Sequence, residues 1–423
     1  MKLFKYLLYT FFLIFTLSVF FPQYIPGKNF IVNFVQTSLP ENLYSFVKVV
    51  YQNKRSTNRL NNDYNEKFLP ETQFTNLNYE IIPVKNLSIT GAGYAKNLKV
   101  QNVKTFYLDR YKNKIILKSK YGNNFFYKSI DELRKKELEF VKIKSNLDEN
   151  RILDILVDNN ILYLSSVNIK NNCEILNLYR ADINLKNLNF KKIFNSSECI
   201  SEIQSGRIQK INKDGKNLIY LSTAAADLNK GNKNNSKPQS DNSLFGKIIE
   251  INDDNLKYKI FSKGHRNILG LYVDKNIILA TENGPRGGDE INKIEKNKNY
   301  GWDIASYGEN YKKTDSNEKD YKNSHEDFGF EEPLISFVPS IGISEIIKID
   351  NNFSKKWQNN YLVASLNYKH LLRVKFNNSF TKTIYVEKIF IGERIRDLIY
   401  LEEDNIILFA MESSGSIGFL QSY

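Results

Sequence analysis

An all-β fold closed into a six-bladed β-propeller is what this sequence predicts, and three observations carry that expectation. From residue 80 onward, short Val/Ile/Leu/Tyr/Phe runs bounded by Asn, Asp, Lys and Gly dominate, with few long helical patterns. One phrase, an apolar strand, a polar turn and a second apolar strand, recurs six times: in Thr105 to Leu117, Ile152 to Ser165, Ile208 to Ser222, Leu269 to Ala280, Ile343 to Ala364 and Ile395 to Ala410. Repeats at roughly 40 to 75 residues suit four-stranded blades with loop insertions. The composition, 41% hydrophobic with 26 Tyr and 28 Phe, supplies a core and excludes global disorder. A β-sandwich is the alternative architecture, and six copies of one phrase favour radial repetition over it.

The elements follow in chain order. Lys2 and Lys5 precede a charge-free apolar run from Tyr6 to Phe21, interrupted by Thr10, Thr16 and Ser18 and closed by Pro22. Basic residues before an apolar run are the order of an export signal, and the flank lacks a small-x-small cleavage site. Residues 1–24 are therefore expected to form an uncleaved N-terminal membrane-anchor helix, with the basic end in the cytoplasm and the body outside, anchored to the inner membrane on its periplasmic side. A buried core helix is the plain alternative.

Residues 25–79 hold a short amphipathic helix and a polar linker. Ser38-Leu39-Pro40-Glu41 offers a capping box, and Leu43, Phe46, Val47 and Val50 follow at one-face helical spacing. Residues Gln52 to Gln73 are polar and aperiodic, as a tether would be. Residues 80–423 form the propeller. Its last strand, within Gly415 to Leu420, is expected to complete a blade begun at the other end of the body, which removes a free sheet edge.

Charge excludes one class of partner. Lys and Arg number 60 against 47 Asp and Glu, a formal charge of +13, but the lysines are scattered among Asn and Asp. That is a solvated surface, not a nucleic-acid platform. Cys173 and Cys199 are too far apart for a CxxC redox pair; an exported chain could join them, and two buried free thiols is the other option. No Gly-rich phosphate loop, zinc spacing or nucleophile elbow is present.

The informative stretch runs Gly264-His265-Arg266-Asn267-Ile268-Leu269-Gly270-Leu271, then Glu282-Asn283-Gly284-Pro285-Arg286-Gly287-Gly288-Asp289-Glu290-Ile291-Asn292, then Asn299-Tyr300-Gly301-Trp302 and Ser306-Tyr307-Gly308. A Gly-Pro turn followed by Gly-Gly-Asp-Glu exposes carbonyl oxygens beside carboxylates, the ligands hard cations such as calcium take. Arg266 and Asn267 offer a donor fork and an amide for an anionic ligand. Without further context this is a cation-plus-anion site at a strand end.

In this order and spacing the segments resemble the soluble quinoprotein glucose/sorbosone dehydrogenases, the PQQ-dependent aldose sugar dehydrogenases. The resemblance implies a six-bladed propeller with PQQ seated on a calcium ion (Ca2+) at one face. It implies that Gly284 and Pro285 present carbonyls to that calcium, that Glu290 and the Tyr300 carbonyl serve a neighbouring structural calcium, and that Arg266 and Asn267 contact PQQ. Gly392-Glu393-Arg394-Ile395-Arg396-Asp397 looks like the family's paired-arginine stretch, so Arg394 and Arg396 would neutralise PQQ carboxylates; an ordinary charged strand start is the plain reading.

The pattern also breaks. Oxidation of a sugar at its anomeric carbon needs a base for the hydroxyl proton, and a His is suited to it. The family places that His before a Gly-Arg strand start, and here Ser201-Glu202-Ile203-Gln204-Ser205-Gly206-Arg207 has Ile203 there. Glu202 is the nearest substitute by sequence, although neighbours on a strand point to opposite faces. His265 is expected to be structural, His325 solvated in its polar loop, and His370 in the core or at the rim. Where some family members place a cofactor-contacting Lys this chain has Asn367; Lys369, two residues on with the same strand parity, is expected to compensate in part. The family's early Gly-Leu-Leu-Gly segment has no evident counterpart.

Two functions follow. One is a PQQ- and calcium-dependent aldose dehydrogenase making a lactone, passing electrons to an acceptor the sequence does not identify. The other is a catalytically defective propeller that binds a ligand or partner.

Overall fold

The computed structural model describes residues 105–422, except 123, 136–138, 172, 225–236, 310–320 and 355–356, together with the upstream strands Leu77–Pro83, Thr90–Gly91 and Asn102–Val103. The expected anchor helix and amphipathic helix lie outside the described residues. Among the described residues no helix is long and apolar enough to cross a membrane.

Six four-stranded antiparallel sheets form the blades of a propeller, the first of them extended by the short parallel strand Asn187–Leu188. Their first strands are Phe106–Tyr111, Arg151–Asp158, Ile208–Lys213, Ile268–Val273, Ile343–Ile349 and Ile395–Leu401, and each begins a hairpin where the sequence phrase recurs. Hairpin turns explain the punctuation: Asp214 and Gly215 both take positive φ, 52° and 74°, which matches the twist of the flanking strands. Each first strand lies against the first strand of the next blade, and the sixth returns to the first. The ring closes within one blade, because Leu77–Pro83 pairs antiparallel with Ser416–Ser422 from Leu77↔Ser422 to Pro83↔Ser416. That is the closure expected of the C-terminal strand, and it leaves no gap through which the ring could open.

The core is divided among the blade interfaces. Alternating side chains of facing sheets build six apolar clusters, such as Phe106, Leu108, Ile406 and Leu408 between the first and sixth blades, or Leu279, Ile291, Ile343 and Val363 between the fourth and fifth.

One arginine ties the centre together. Arg207, just ahead of the third blade's first strand, lies 2.9 Å from each of Asp154, Glu345 and Asp397, which stand on the first strands of the second, fifth and sixth blades. Its Nε donates to the Leu269 carbonyl of the fourth at 2.6 Å, and its guanidinium sits 5.2 Å from the Tyr107 ring of the first. A single buried cation therefore touches all six blades. Burial pushes the Asp154 carboxyl up to about 7 and that of Glu345 to about 8, against the pull of Arg207.

Cys173 and Cys199 form a disulfide. It ties the third strand of the second blade, Cys173–Asp182, to the segment that leads into Ile203.

Candidate functional site

In each blade the first strand begins and the second strand ends at the same face, because the two are antiparallel. That face collects Lys120, Arg151, Gln204, Arg266, Asn267, the 283–288 loop, Lys369, Arg394, Arg396 and Glu412 around the mouth of the channel that Arg207 plugs.

Glu282 ends the fourth blade's second strand and organises the motif. Its Oε2 accepts from His265 Nδ1 at 3.1 Å and its Oε1 accepts from the Arg266 main-chain N–H. His265 Nε2 lies 2.8 Å from Ser262 Oγ, and the ring stacks on Tyr300 at 4.7 Å. With both nitrogens engaged and no exposure, His265 is a structural residue.

The loop after Glu282 folds back over the face. Asp289 holds it: Oδ1 accepts from Gly284 N at 3.0 Å, and Oδ2 from Ile341 N and Ile343 N of the approach to the fifth blade, both at 3.0 Å. Ser340 Oγ donates to both oxygens at 2.8 Å. Gly284 is obligatory, since a Cβ there would lie 2.1 Å from the Gly287 carbonyl. Arg266 Nη1 donates to the carbonyls of Asn283 at 2.8 Å and Gly284 at 3.1 Å, and its guanidinium lies 5.2 Å from the Trp302 ring. Asn267 Nδ2 donates to Gln204 Oε1 at 3.0 Å, while its buried Oδ1 has no hydrogen-bond partner among the described residues.

A second cluster lies beside it. Glu290 sits directly opposite Glu282 on neighbouring strands, and burial, then Glu282, raises its carboxyl well above the ordinary range. Its Oε2 accepts from Asn292 Nδ2 at 3.1 Å and its Oε1 is 3.6 Å from His325 Nε2. The Tyr300 and Pro285 carbonyls accept no hydrogen bond among the described residues, and Asn292 Oδ1 is likewise buried without a partner there. Opposed carboxylates beside idle carbonyl and amide oxygens fit a hard cation. Among the described residues no group of three or more His, Cys, Asp or Glu is arranged for a metal, so a cation here would rest mainly on neutral oxygens.

Arg394 and Arg396 share Glu412. Arg394 Nε donates to its Oε1 at 2.7 Å and Arg396 Nε to its Oε2 at 2.9 Å. Burial opposes ionisation, yet Arg396 and Arg394 outweigh it and hold the Glu412 carboxyl at about 2. The Nη groups of Arg394 make no hydrogen bond among the described residues, and the side chain is 30% exposed. Arg207 Nη2 donates to the Arg396 carbonyl at 3.1 Å while Nε reaches Leu269, which sets the two arginine-bearing segments around one guanidinium.

Two expectations are corrected, those for Lys369 and His325, and the choice left open for His370 is decided. Lys369 lies in a turn with φ 59°, between Asn360–Ser365 and His370–Phe376, so strand parity with Asn367 does not apply; its carbonyl accepts from Ile391 N and Gly392 N at 3.1 and 3.0 Å. His325 is not solvated but 2% exposed, because Glu332 accepts from the N–H groups of His325 and Glu326 and folds the polar loop inward. His370 belongs to the core: its ring stacks on Tyr368 at 4.1 Å, and burial lowers it to about 4.

Ile203 is fully buried in the apolar cluster between the second and third blades. Only its main chain meets polar groups: N–H to Glu174 Oε2 at 2.6 Å, and carbonyl from Arg151 Nη2 at 2.6 Å. Glu202 and Gln204 flank it, both half-buried, and Gln204 is the one bonded to Asn267. Sequence reasoning missed Gln204, Arg151 and Lys120, because no periodicity marks a residue at a strand end.

The glucose/sorbosone dehydrogenase family model matches residues 112–418. The aldose sugar dehydrogenase YliI of Escherichia coli is 30% identical over 224 residues, 48% of this chain and 57% of that protein. The chain spans about half the length of the curated relatives it matches. The solved apo-form of the soluble aldose sugar dehydrogenase from Escherichia coli superposes with a TM-score of 0.63 at 19% identity, over 82% of this chain and 100% of that one. The PQQ-bound aldose sugar dehydrogenase from Streptomyces coelicolor gives 0.55 at 17% identity, over 82% and 98%. At these identities the structural likeness establishes the fold.

Proposed function

This chain belongs to the glucose/sorbosone dehydrogenase family, and from that premise we propose that it is an exported, membrane-tethered dehydrogenase that oxidises an aldose to its lactone with PQQ and calcium. The observation that carries this reading is the folded-back 282–292 loop. It brings the Gly284 and Pro285 carbonyls, Arg266 and Asn267 to one face, on which Arg394 and Arg396 also open. PQQ, when bound, supplies a quinone that accepts two electrons. Arg394 and Arg396 would neutralise its carboxylates and Asn267 Oδ1 would find a donor, while Lys369 stays a candidate contact through the turn it occupies. Gly284 and Pro285 would hold the calcium beneath the cofactor; Glu290 and the Tyr300 carbonyl would hold a second, relieving the opposition of Glu282 and Glu290. Export agrees with the leader and with a disulfide-permissive compartment.

A second reading, a propeller that binds a ligand without oxidising it, is favoured by Ile203: its side chain cannot take a proton and packs in the core. The test is to purify the chain, add calcium and PQQ, and assay dye reduction with a panel of aldoses. Turnover supports the first reading, PQQ binding without turnover the second, and a chain that neither binds PQQ nor turns over refutes the first reading and any role of PQQ as the ligand of the second.

A further inference from the structure

Removing hydrogen from an alcohol carbon releases a hydroxyl proton, which needs an acceptor within about 2.6–3.2 Å that is unprotonated at working pH. Most titratable groups of the site face are committed elsewhere. Glu412 is held at about 2 by its arginines, Tyr107 is raised to about 12 by burial, and His265 and His370 are buried and bonded.

Lys120 is not committed. It follows the first blade's second strand, Lys114–Ser119, and its main chain is pinned at the channel mouth: N–H to the Thr105 carbonyl at 2.9 Å, carbonyl from Ile152 N at 2.7 Å. Its ammonium group makes no hydrogen bond or ion pair among the described residues; the nearest ring, Tyr121, is 6.0 Å away. The fully buried lysines differ from half-buried Lys120. Lys118 Nζ grips the Ser119 and Gly122 carbonyls at 2.9 and 2.6 Å, and Lys247 Nζ grips those of Lys237, Pro238 and Phe245 at 2.7, 2.9 and 2.9 Å. These two hold loops. Four charged groups act on Lys120: Arg396 and Glu412 from the sixth blade, Arg151 from the second, and Glu202 ahead of the third. Arg151 is the residue that grips the Ile203 carbonyl.

We propose that Lys120 is the proton acceptor of this site. The inference rests on the dehydrogenase reading above. In the step, the C–H bond breaks and its hydride, with both electrons, passes to the quinone; the O–H bond breaks, its electron pair closes the C=O bond, and the proton ends on Lys120 Nζ, which returns it to solvent. Burial, with Arg396 and Arg151 next, lowers the amine to about 7, so a neutral fraction is present at physiological pH.

The test compares Lys120→Met and Lys120→Arg with the wild-type full chain, loaded with calcium and PQQ. Each variant should bind PQQ as the wild type does and turn over at least about a hundredfold more slowly, the usual worth of a general base. The wild-type kcat/KM should fall below pH 7 on a limb that both variants lack. Burial also lowers Lys118 and Lys247 to about 7, so lysine dimethylation with 13C-formaldehyde is read by difference: the wild type should give an NMR resonance titrating near neutrality that is absent from Lys120→Arg. Wild-type turnover with an unaffected Lys120→Met variant, or rescue by Lys120→Arg, overturns the role of Lys120 alone. A wild-type chain that never turns over overturns the dehydrogenase reading and this inference with it.

Discussion

Asp289→Asn isolates the loop on which the site depends. An asparagine that keeps its oxygen toward Ile341 N and Ile343 N must turn its amide toward Gly284 N, so two donors meet where Asp289 now accepts at 3.0 Å. An unsatisfied buried N–H costs about 1–3 kcal/mol, and exchanging a charged acceptor for a neutral one weakens the remaining bonds by about 0.5–1 kcal/mol more. Burial, which raises the Asp289 carboxyl above its ordinary value, works the other way, since the neutral amide is cheaper to desolvate. The balance is a loss of about 2 kcal/mol concentrated on Gly284, whose carbonyl is one of the two proposed for calcium. At 1.4 kcal/mol per tenfold, calcium affinity should fall roughly 30-fold. Isothermal titration of calcium into the chain measures this, with circular dichroism to verify that the blades persist. Unchanged calcium affinity, or collapse of the whole propeller, refutes the assignment of Asp289 as the clasp of this loop alone.

Other perturbations test the frame around the site. Arg207→Met leaves Asp154, Glu345 and Asp397 without their common cation, and should destabilise the chain by about 3–5 kcal/mol in urea titrations at pH 8. Asp154 and Glu345 are raised above their unfolded values, so the fold binds protons that the unfolded chain does not between about pH 4 and 8. The variant should therefore be markedly less impaired at pH 5, and an equal loss at both pH values contradicts the hub. Glu412 has the opposite sign: its folded value of about 2 is depressed, so it contributes roughly 3 kcal/mol above pH 4.5 that disappears as pH falls toward 2. Glu412→Gln should flatten that part of the acid-denaturation curve. Replacing both Cys173 and Cys199 by Ser should cost about 3 kcal/mol from loop-closure entropy, read as a lower urea midpoint.

What the sequence determined by itself was local. Six hairpins, their turns at Asn159 or Asp214-Gly215, and the order of the Gly264–Gly308 motif all depend on residues a few positions apart, where strand alternation and turn chemistry act directly. The bond between Thr105 and Glu412 joins residues 307 positions apart, and that from Arg207 to Asp397 spans 190; no periodicity announces either. Tertiary structure alone decided that Arg207 is shared by every blade, that a polar loop buries His325, that Lys369 turns out of register with Asn367, and that the Lys120 ammonium at the channel mouth has no hydrogen-bond or ion-pair partner among the described residues. The reason is closure: bending six sheets into a ring brings strand ends together that are remote along the chain, and side chains at those ends acquire their charge state and partners only once the ring exists.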